Sequence, residues 1–191
     1  MVSTYPQPGD PVRLNLGAGD RYVDGWINVD YGSPHRKDQE VDLTGPLPWA
    51  PGSVTHVYLG HVLEHLTLPQ CAELLSGLLP CMDPTGGLMM VVGPDVPLAE
   101  RMIAEGTFDF TFHNLESLKF GAGRWAGDVH QWECSAGIVV RLCRDAGWPV
   151  VTDLGIRSVD EFWPVADRAP LWQCAVRAYV GSPQPRTTTR A

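Results

Sequence analysis

The pentapeptide His61-Val62-Leu63-Glu64-His65 spells H-x-x-E-H, the letters of an inverted zinc-protease motif. In that motif two histidines one helical turn apart hold the metal, and the glutamate works as general base. The chemistry requires both imidazoles on one face of a continuous helix. The flanking residues point elsewhere. His61 directly follows "SVTHVYLG" (Ser53–Gly60), a β-branched and aromatic run that reads as a strand. The next helix-start signals, Thr67 as a cap and Pro69 in a first turn, come only after the pentapeptide. His61 to His65 is therefore expected to be a strand-to-helix connection, with no metal bound. A zinc hydrolase using His61, Glu64 and His65 is the alternative.

Other residues have types suited to chemistry, each with a plainer role beside it. "NLGAGD" (Asn15–Asp20) is a G-x-G turn after an apolar run, and glycines there let backbone approach a ligand closely. A dinucleotide fingerprint would need a third glycine where Tyr22 stands, so the turn alone could be structural. Asp30 ends the next apolar run, where a carboxylate can take both hydroxyls of a ribose or merely close a strand. His130, in "GDVHQWE", could remove a proton from a hydroxyl substrate, or could cap a helix or fill a core. Asp95 follows "GGLMMVVGP", where a substrate or divalent metal could be met, or a turn made.

The elements that must position these residues are legible in outline. "VRLNLG", "WINVD", "SVTHVYLG" and "GGLMMVVGPD" read as strands, as do "PVVTDLG" and "WQCAVRAYV". A helix capped by Thr67 carries Cys71, Leu74, Leu75, Leu78 and Leu79 at helical spacing and ends near Pro80. Another is expected from about Glu133 to Ala146, stopped by Gly147. Near-continuously apolar strands alternating with helices predict an α/β domain with a mostly parallel central sheet and helices on both faces. In such a sheet ligands bind beyond the carboxyl ends of the strands. Gly17-Ala18-Gly19, Asp30, Gly60-His61 and Pro94-Asp95 are then expected to converge.

Taken in order, "VRLNLGAGD", "GWINVD", "VDLTGPLPW", "VTHVYLGHVLEHL", "GGLMMVVGPD", "FGAGRWAGDVHQW" and "VRLCRDAGW" resemble a class I S-adenosylmethionine (SAM)-dependent methyltransferase of the small bacterial and phage kind. The resemblance covers about residues 12 to 180 and implies a single Rossmann-like domain. It implies that Gly17, Ala18 and Gly19 pass under the methionine part of SAM and that Asp30 holds the ribose. Asp42 and Leu43 would face the adenine, with Gly60 and His61 beside the methyl sulfonium. S-adenosylhomocysteine would be the product. His130, then His61 and Asp95, are the catalytic candidates. Two departures stand out: the short span from Gly17 to Asp30 leaves little room for a helix, and His56 stands where most relatives carry aspartate.

Composition narrows the partners. The net charge of −8 over 191 residues, with no basic cluster, disfavours nucleic acid. A small-molecule or glycan acceptor, methylated on oxygen, is expected instead. A non-catalytic binding protein of the same fold is a further alternative. The five cysteines form no C-x-x-C pair and fit free thiols in a reducing cytoplasm. No leader and no membrane-spanning run is visible. Residues 1–11 are expected to be an arm, 12–181 the domain, and 182–191 a disordered tail. The stretch 106–128, holding Arg124 and Trp125, could cover the substrate or form a packing or homodimer surface.

Overall fold

The computed structural model describes residues 11–111, 113–123, 127–155 and 172–181. The expected arm before residue 11, Arg124 and Trp125, and the tail at 182–191 lie outside those residues. The strands are β1 (Val12–Leu16), β2 (Ile27–Asp30), β3 (Gln39–Glu40), β4 (Val54–Gly60), β5 (Leu88–Pro94), β6 (Val150–Asp153) and β7 (Gln173–Tyr179). They form one seven-stranded sheet in the order β3-β2-β1-β4-β5-β7-β6. Every pairing is parallel except those of β7, which runs antiparallel to β5 and β6. The chain steps outward in one direction from β1 and in the other from β4. The reversal lies between them, and their carboxyl ends flank the crevice that such a reversal opens.

Among the described residues four α-helices accompany the sheet: α1 (Leu68–Leu78), α2 (Val96–Ala104), α3 (Leu115–Phe120) and α4 (Ala136–Asp145). Leu14, Leu16, Val29, Val57, Leu59, Met89 and Val91 alternate inward from the strands. They pack in one core with Cys71, Leu74, Leu75 and Leu78 of α1 and Val139 and Cys143 of α4. Each fully buried leucine contributes about 2 kcal/mol, so this stripe fixes α1 against the sheet. The start of α1 is a capping box: Thr67 Oγ1 accepts from Gln70 N–H, and Gln70 Oε1 accepts from Thr67 N–H. Helix α4 begins at Ala136 rather than Glu133, because Ser135 takes the cap and accepts from Ile138 N–H. Glu133 instead meets Lys119 at 3.3 Å. Helices α2 and α3 share a separate apolar cluster with Phe108 and Trp172, where β5 ends and β7 begins. Among the described residues no helix is long and apolar enough to cross a membrane.

The connection from β1 to β2 contains no helix, as its short span predicts. Val23 and Trp26 from this loop cover Tyr58, Met90, Val92 and Ala175 on the sheet face opposite α1. A helix-less loop on a sheet leaves backbone groups that need partners, and two buried asparagines supply them. Asn28 Oδ1 accepts from Val23 N–H at 2.8 Å and from Asn15 Nδ2 at 2.9 Å. Asn28 Nδ2 donates to Val23 O and Trp26 O, while Asn15 Nδ2 also reaches Arg21 O. His56, half-buried in β4, lies edge-on to Trp26 and pairs in register with Arg13. Burial, then the Arg13 charge, holds its imidazole below the ordinary value.

Replacing Asn28 by Ala removes these bonds at a site that is 0% exposed. Stranding Val23 N–H and Asn15 Nδ2 should cost about 3 kcal/mol. Urea unfolding at neutral pH reads this as a lower midpoint with an unchanged slope.

Candidate functional site

The turn after β1 and the acid closing β2 meet. Gly17 (φ +67°) and Gly19 (φ +54°) both adopt the left-handed region that favours glycine. A Cβ at Gly17 would overlap Val62 Cγ2, whereas a Cβ at Gly19 would touch nothing within 4 Å, so the turn is packed beneath and open above. Ala18 N–H donates to Val29 O at 3.0 Å, binding the turn to β2. Gly19 N–H donates to Asp30 Oδ2, and Tyr31 N–H donates to Asp30 Oδ1 at 2.7 Å. Each carboxylate oxygen accepts two bonds, so one further hydroxyl fits on each. The open glycine turn and its neighbouring carboxylate suit a nucleoside that carries a ribose diol.

Asp42 and Leu43 follow β3, tied to β2 by Val41 N–H donating to Asp30 O at 3.2 Å. Asp42 Oδ1 accepts from the Thr44 hydroxyl and N–H, and these bonds hold its carboxyl below the usual range. Leu43 lines an open groove of about 510 Å³ together with Leu47, Trp49 and Leu74.

Across the crevice, β4 ends in Gly60 and His61. His61 has φ +57°, the one non-glycine residue with positive φ among the described residues. Strain of this kind persists only where neighbours hold it. His61 N–H donates to Val92 O, its Nδ1–H donates to Glu64 Oε1 at 2.9 Å, and the Gln173 amide donates to its Nε2. Glu64 is 1% exposed. Burial pushes its carboxyl up, but the His61 hydrogen bond and the neighbouring His61 and His65 imidazoles outweigh that and leave it below the ordinary value. Its second oxygen, Oε2, has no hydrogen-bond partner among the described residues. A Cβ on Gly93 of β5 would crowd Cys134 Sγ at 3.2 Å and meet Oε2 at 3.5 Å, an ordinary contact.

His65 and His130 lie edge to face, their ring centroids 5.0 Å apart. His130 Nδ1–H donates to Leu118 O at 2.7 Å, and His65 Nδ1–H donates to Val129 O at 3.3 Å. Burial keeps His130 below the ordinary imidazole value, against the opposing pull of the Glu64 charge. With His61, His113 and Trp172 these rings line a small hollow of about 40 Å³ at the carboxyl edge of the sheet.

Asp42 and Leu43 aside, the candidates named from sequence sort into three groups. Gly17, Ala18, Gly19 and Asp30 form one end of the site, and Gly60, His61 and His130 the other. Asp95 does neither job: Oδ1 caps α2 by accepting from Leu98 N–H, and Oδ2 accepts from Ala136 N–H at the start of α4. The H-x-x-E-H letters do not build a protease helix. Leu63–His65 makes a single 3-10 turn, His61 lies outside it, and α1 starts only at Leu68. Glu64 and Gln173 are the residues that sequence reasoning passed over as partners of His61. The available signals were an acid three positions after a strand-ending histidine and a lone amide opening the apolar run of β7.

Solved structures share this architecture. A SAM-dependent methyltransferase from Archaeoglobus fulgidus superposes with a TM-score of 0.56 at 14% identity, over 90% of this chain and 86% of that one. The fold is that of the SAM-dependent methyltransferases. Human N-acetylserotonin methyltransferase in complex with SAM matches with a TM-score of 0.51 at 17% identity, over 90% of this chain. A Nostoc punctiforme protein matches with a TM-score of 0.56 at 12% identity, also over 90% of this chain. The chain spans about half the length of those last two, 48% of the human protein and 52% of the Nostoc one. No family model and no curated protein sequence matches it. In the methyltransferase fold seen here, Asp30 and His61 stand on the two sides of the β1–β4 reversal.

Gly17→Ala places a methyl group against Val62 and forces a positive φ on a residue with a Cβ. The expected loss is about 2 kcal/mol of stability, read by chemical denaturation. Gly19→Ala, where space is open, should lose only about 1 kcal/mol, the left-handed backbone cost.

Proposed function

We propose that the chain is a SAM-dependent methyltransferase acting on the hydroxyl of a small-molecule or sugar acceptor. The observation that carries this reading is the juncture of an open glycine turn with the Asp30 carboxylate, facing a histidine-lined hollow across the strand reversal. Gly17, Ala18 and Gly19 would lie under the methionine part, and Asp30 would accept from the ribose hydroxyls. Asp42 and Leu43 would meet the adenine edge. Gly60 and His61 would stand beside the reacting carbon. When bound, SAM supplies a methyl group made electrophilic by its sulfonium charge.

The protein's own task is alignment, together with one proton. His61 is better situated than His130 to take it. Glu64 holds its Nδ1–H, so the Nε2 lone pair points at Gln173, whose amide an acceptor hydroxyl would replace. His130 Nδ1 is bound to Leu118 O, and its ring packs edge to face against His65. The 106–128 stretch, through Ser117, Leu118 and His113, would close over the acceptor. Among the described residues the hollow offers no row of cations for a polyanion, which agrees with the acidic net charge.

Calorimetry with S-adenosylhomocysteine tests the cofactor assignment. Wild-type protein should bind, and Asp30→Ala should weaken binding by about 2 kcal/mol, the worth of hydrogen bonds to a charged group. No binding to wild type would remove the catalytic reading and leave a binding protein of the same fold. Transfer of labelled methyl from SAM to a panel of small phenols, alcohols and sugars tests the reaction. His61→Asn should lower turnover by about 100-fold or more while leaving S-adenosylhomocysteine affinity unchanged.

A further inference from the structure

We propose that Glu64, His65 and His130 form a binding site for one divalent transition-metal ion, zinc being the best fit to the donor set. A carboxylate oxygen of Glu64 and one ring nitrogen from each histidine all lie within 4.8 Å of one another. This is not the protease arrangement. The pentapeptide contributes Glu64 and His65, His61 is not a ligand, and the third donor comes from the segment before α4.

Three separate features support a metal rather than a chance gathering of side chains. First, both histidines give Nδ1–H to a main-chain carbonyl, Val129 O for His65 and Leu118 O for His130. That bond fixes the tautomer with its proton on Nδ1, the arrangement found behind metal-binding imidazoles. Second, Glu64 is a buried carboxylate with one oxygen anchored by His61 and the other, Oε2, without a hydrogen-bond partner. A buried anionic oxygen left so is costly, and a cation is its natural complement. Third, two imidazoles and a carboxylate make the donor set of open zinc sites, whereas magnesium and calcium prefer oxygen throughout.

The geometry needs little adjustment. Donor atoms on a tetrahedral ion with bonds of about 2.1 Å stand roughly 3.4 Å apart. His65 and His130 are both half-buried rather than locked in the core, so small rotations of the rings close the remaining gap. No thiolate competes nearby by ready ionisation: the five cysteines are buried, and burial pushes the Cys71 and Cys143 thiols up to about 12. His61, His65 and His130 line one hollow, so an open coordination position would face it. There an ion would bind an acceptor oxygen and ease loss of its proton. That last consequence rests on the methyl-transfer reading; metal binding itself does not.

The test uses tag-free full-length protein stripped with a chelator, dialysed against Co2+ alone and then titrated with Zn2+. One Co2+ per chain is expected, with visible ligand-field bands, no thiolate charge-transfer band, and displacement by one equivalent of Zn2+. His65→Gln and His130→Gln should each weaken Co2+ binding by at least about tenfold, while His35→Gln leaves it unchanged. Should either variant fail to fold, the wild-type Co2+ complex still decides, because proton NMR should show two strongly shifted imidazole rings. Absence of stoichiometric binding, wild-type affinity in both histidine variants, thiolate bands, or no shifted imidazole would each overturn the proposal. Protein that binds Co2+ but not S-adenosylhomocysteine would sink only the cofactor reading. Protein that binds S-adenosylhomocysteine but no metal would sink only this one.

Discussion

One buried charge organises the histidine-lined side of this fold. Glu64 is held ionised at a position from which water is almost wholly excluded, and removing a carboxylate from water costs several kcal/mol unless partners compensate. Its surroundings come from several elements. His61 from the end of β4 donates to Oε1, and Gly93 of β5 packs beside the head group. The main-chain oxygen of Glu64 accepts from Gln131 N–H at 2.7 Å. Trp132 Nε1–H reaches Leu63 O and Leu66 O on either side of the same turn. The segment carrying His130 is thereby laid against the β4–α1 connection, and the histidines meet because the carboxylate and its backbone require that segment there.

The opposite side of the crevice is built on a different principle. No buried charge is needed there, because the turn after β1 presents backbone and Asp30 stands at its rim. The carboxylate accepts from the Gly19 and Tyr31 N–H groups, so the turn is preorganised. A diol arriving at Asp30 can add to those bonds without breaking them. The two asparagines beneath the loop support this economy: they replace a helix that the chain is too short to make, and they hold the glycine turn level with β2.

How much of this could be read from the residues depends on periodicity. The apolar strands and the capped α1 were legible because burial on a sheet face or helix stripe leaves a regular trace, as in Leu14, Leu16, Val57 and Leu59. Helix α2 was not foreseen, although Asp95 and Pro97 are good start signals, because Asp95 had been weighed as a site residue instead of a cap. Strand β3 is two residues long and α3 only six, too short for a period to show. The candidate site divides in the same way. Gly17, Gly19, Asp30 and His61 were legible because each closes a strand or follows within three residues of one. Glu64, Gln173 and the pairing of His65 with His130 depend on contacts between distant segments, and local pattern carries no trace of those.

Packing adds to the β1–β4 ladder in keeping the two sides in register. Val62 sits between His61 and Leu63, belongs to the main core, and fills the space that a side chain on Gly17 would need. The floor of the glycine turn is therefore the neighbour of the strained histidine. Close-packed interiors transmit displacement instead of absorbing it, so a shift of the turn after β1 must be felt at His61 and, through its Nδ1–H, at Glu64. The positive φ of His61 follows from the same constraint. The chain leaves β4 at Gly60 and must drop Val62 under Gly17 while holding the imidazole between Glu64 and Gln173, and a left-handed residue makes that turn in one step. A donor held on Asp30 and a proton acceptor held on Glu64 would thus face each other at a separation set by one valine.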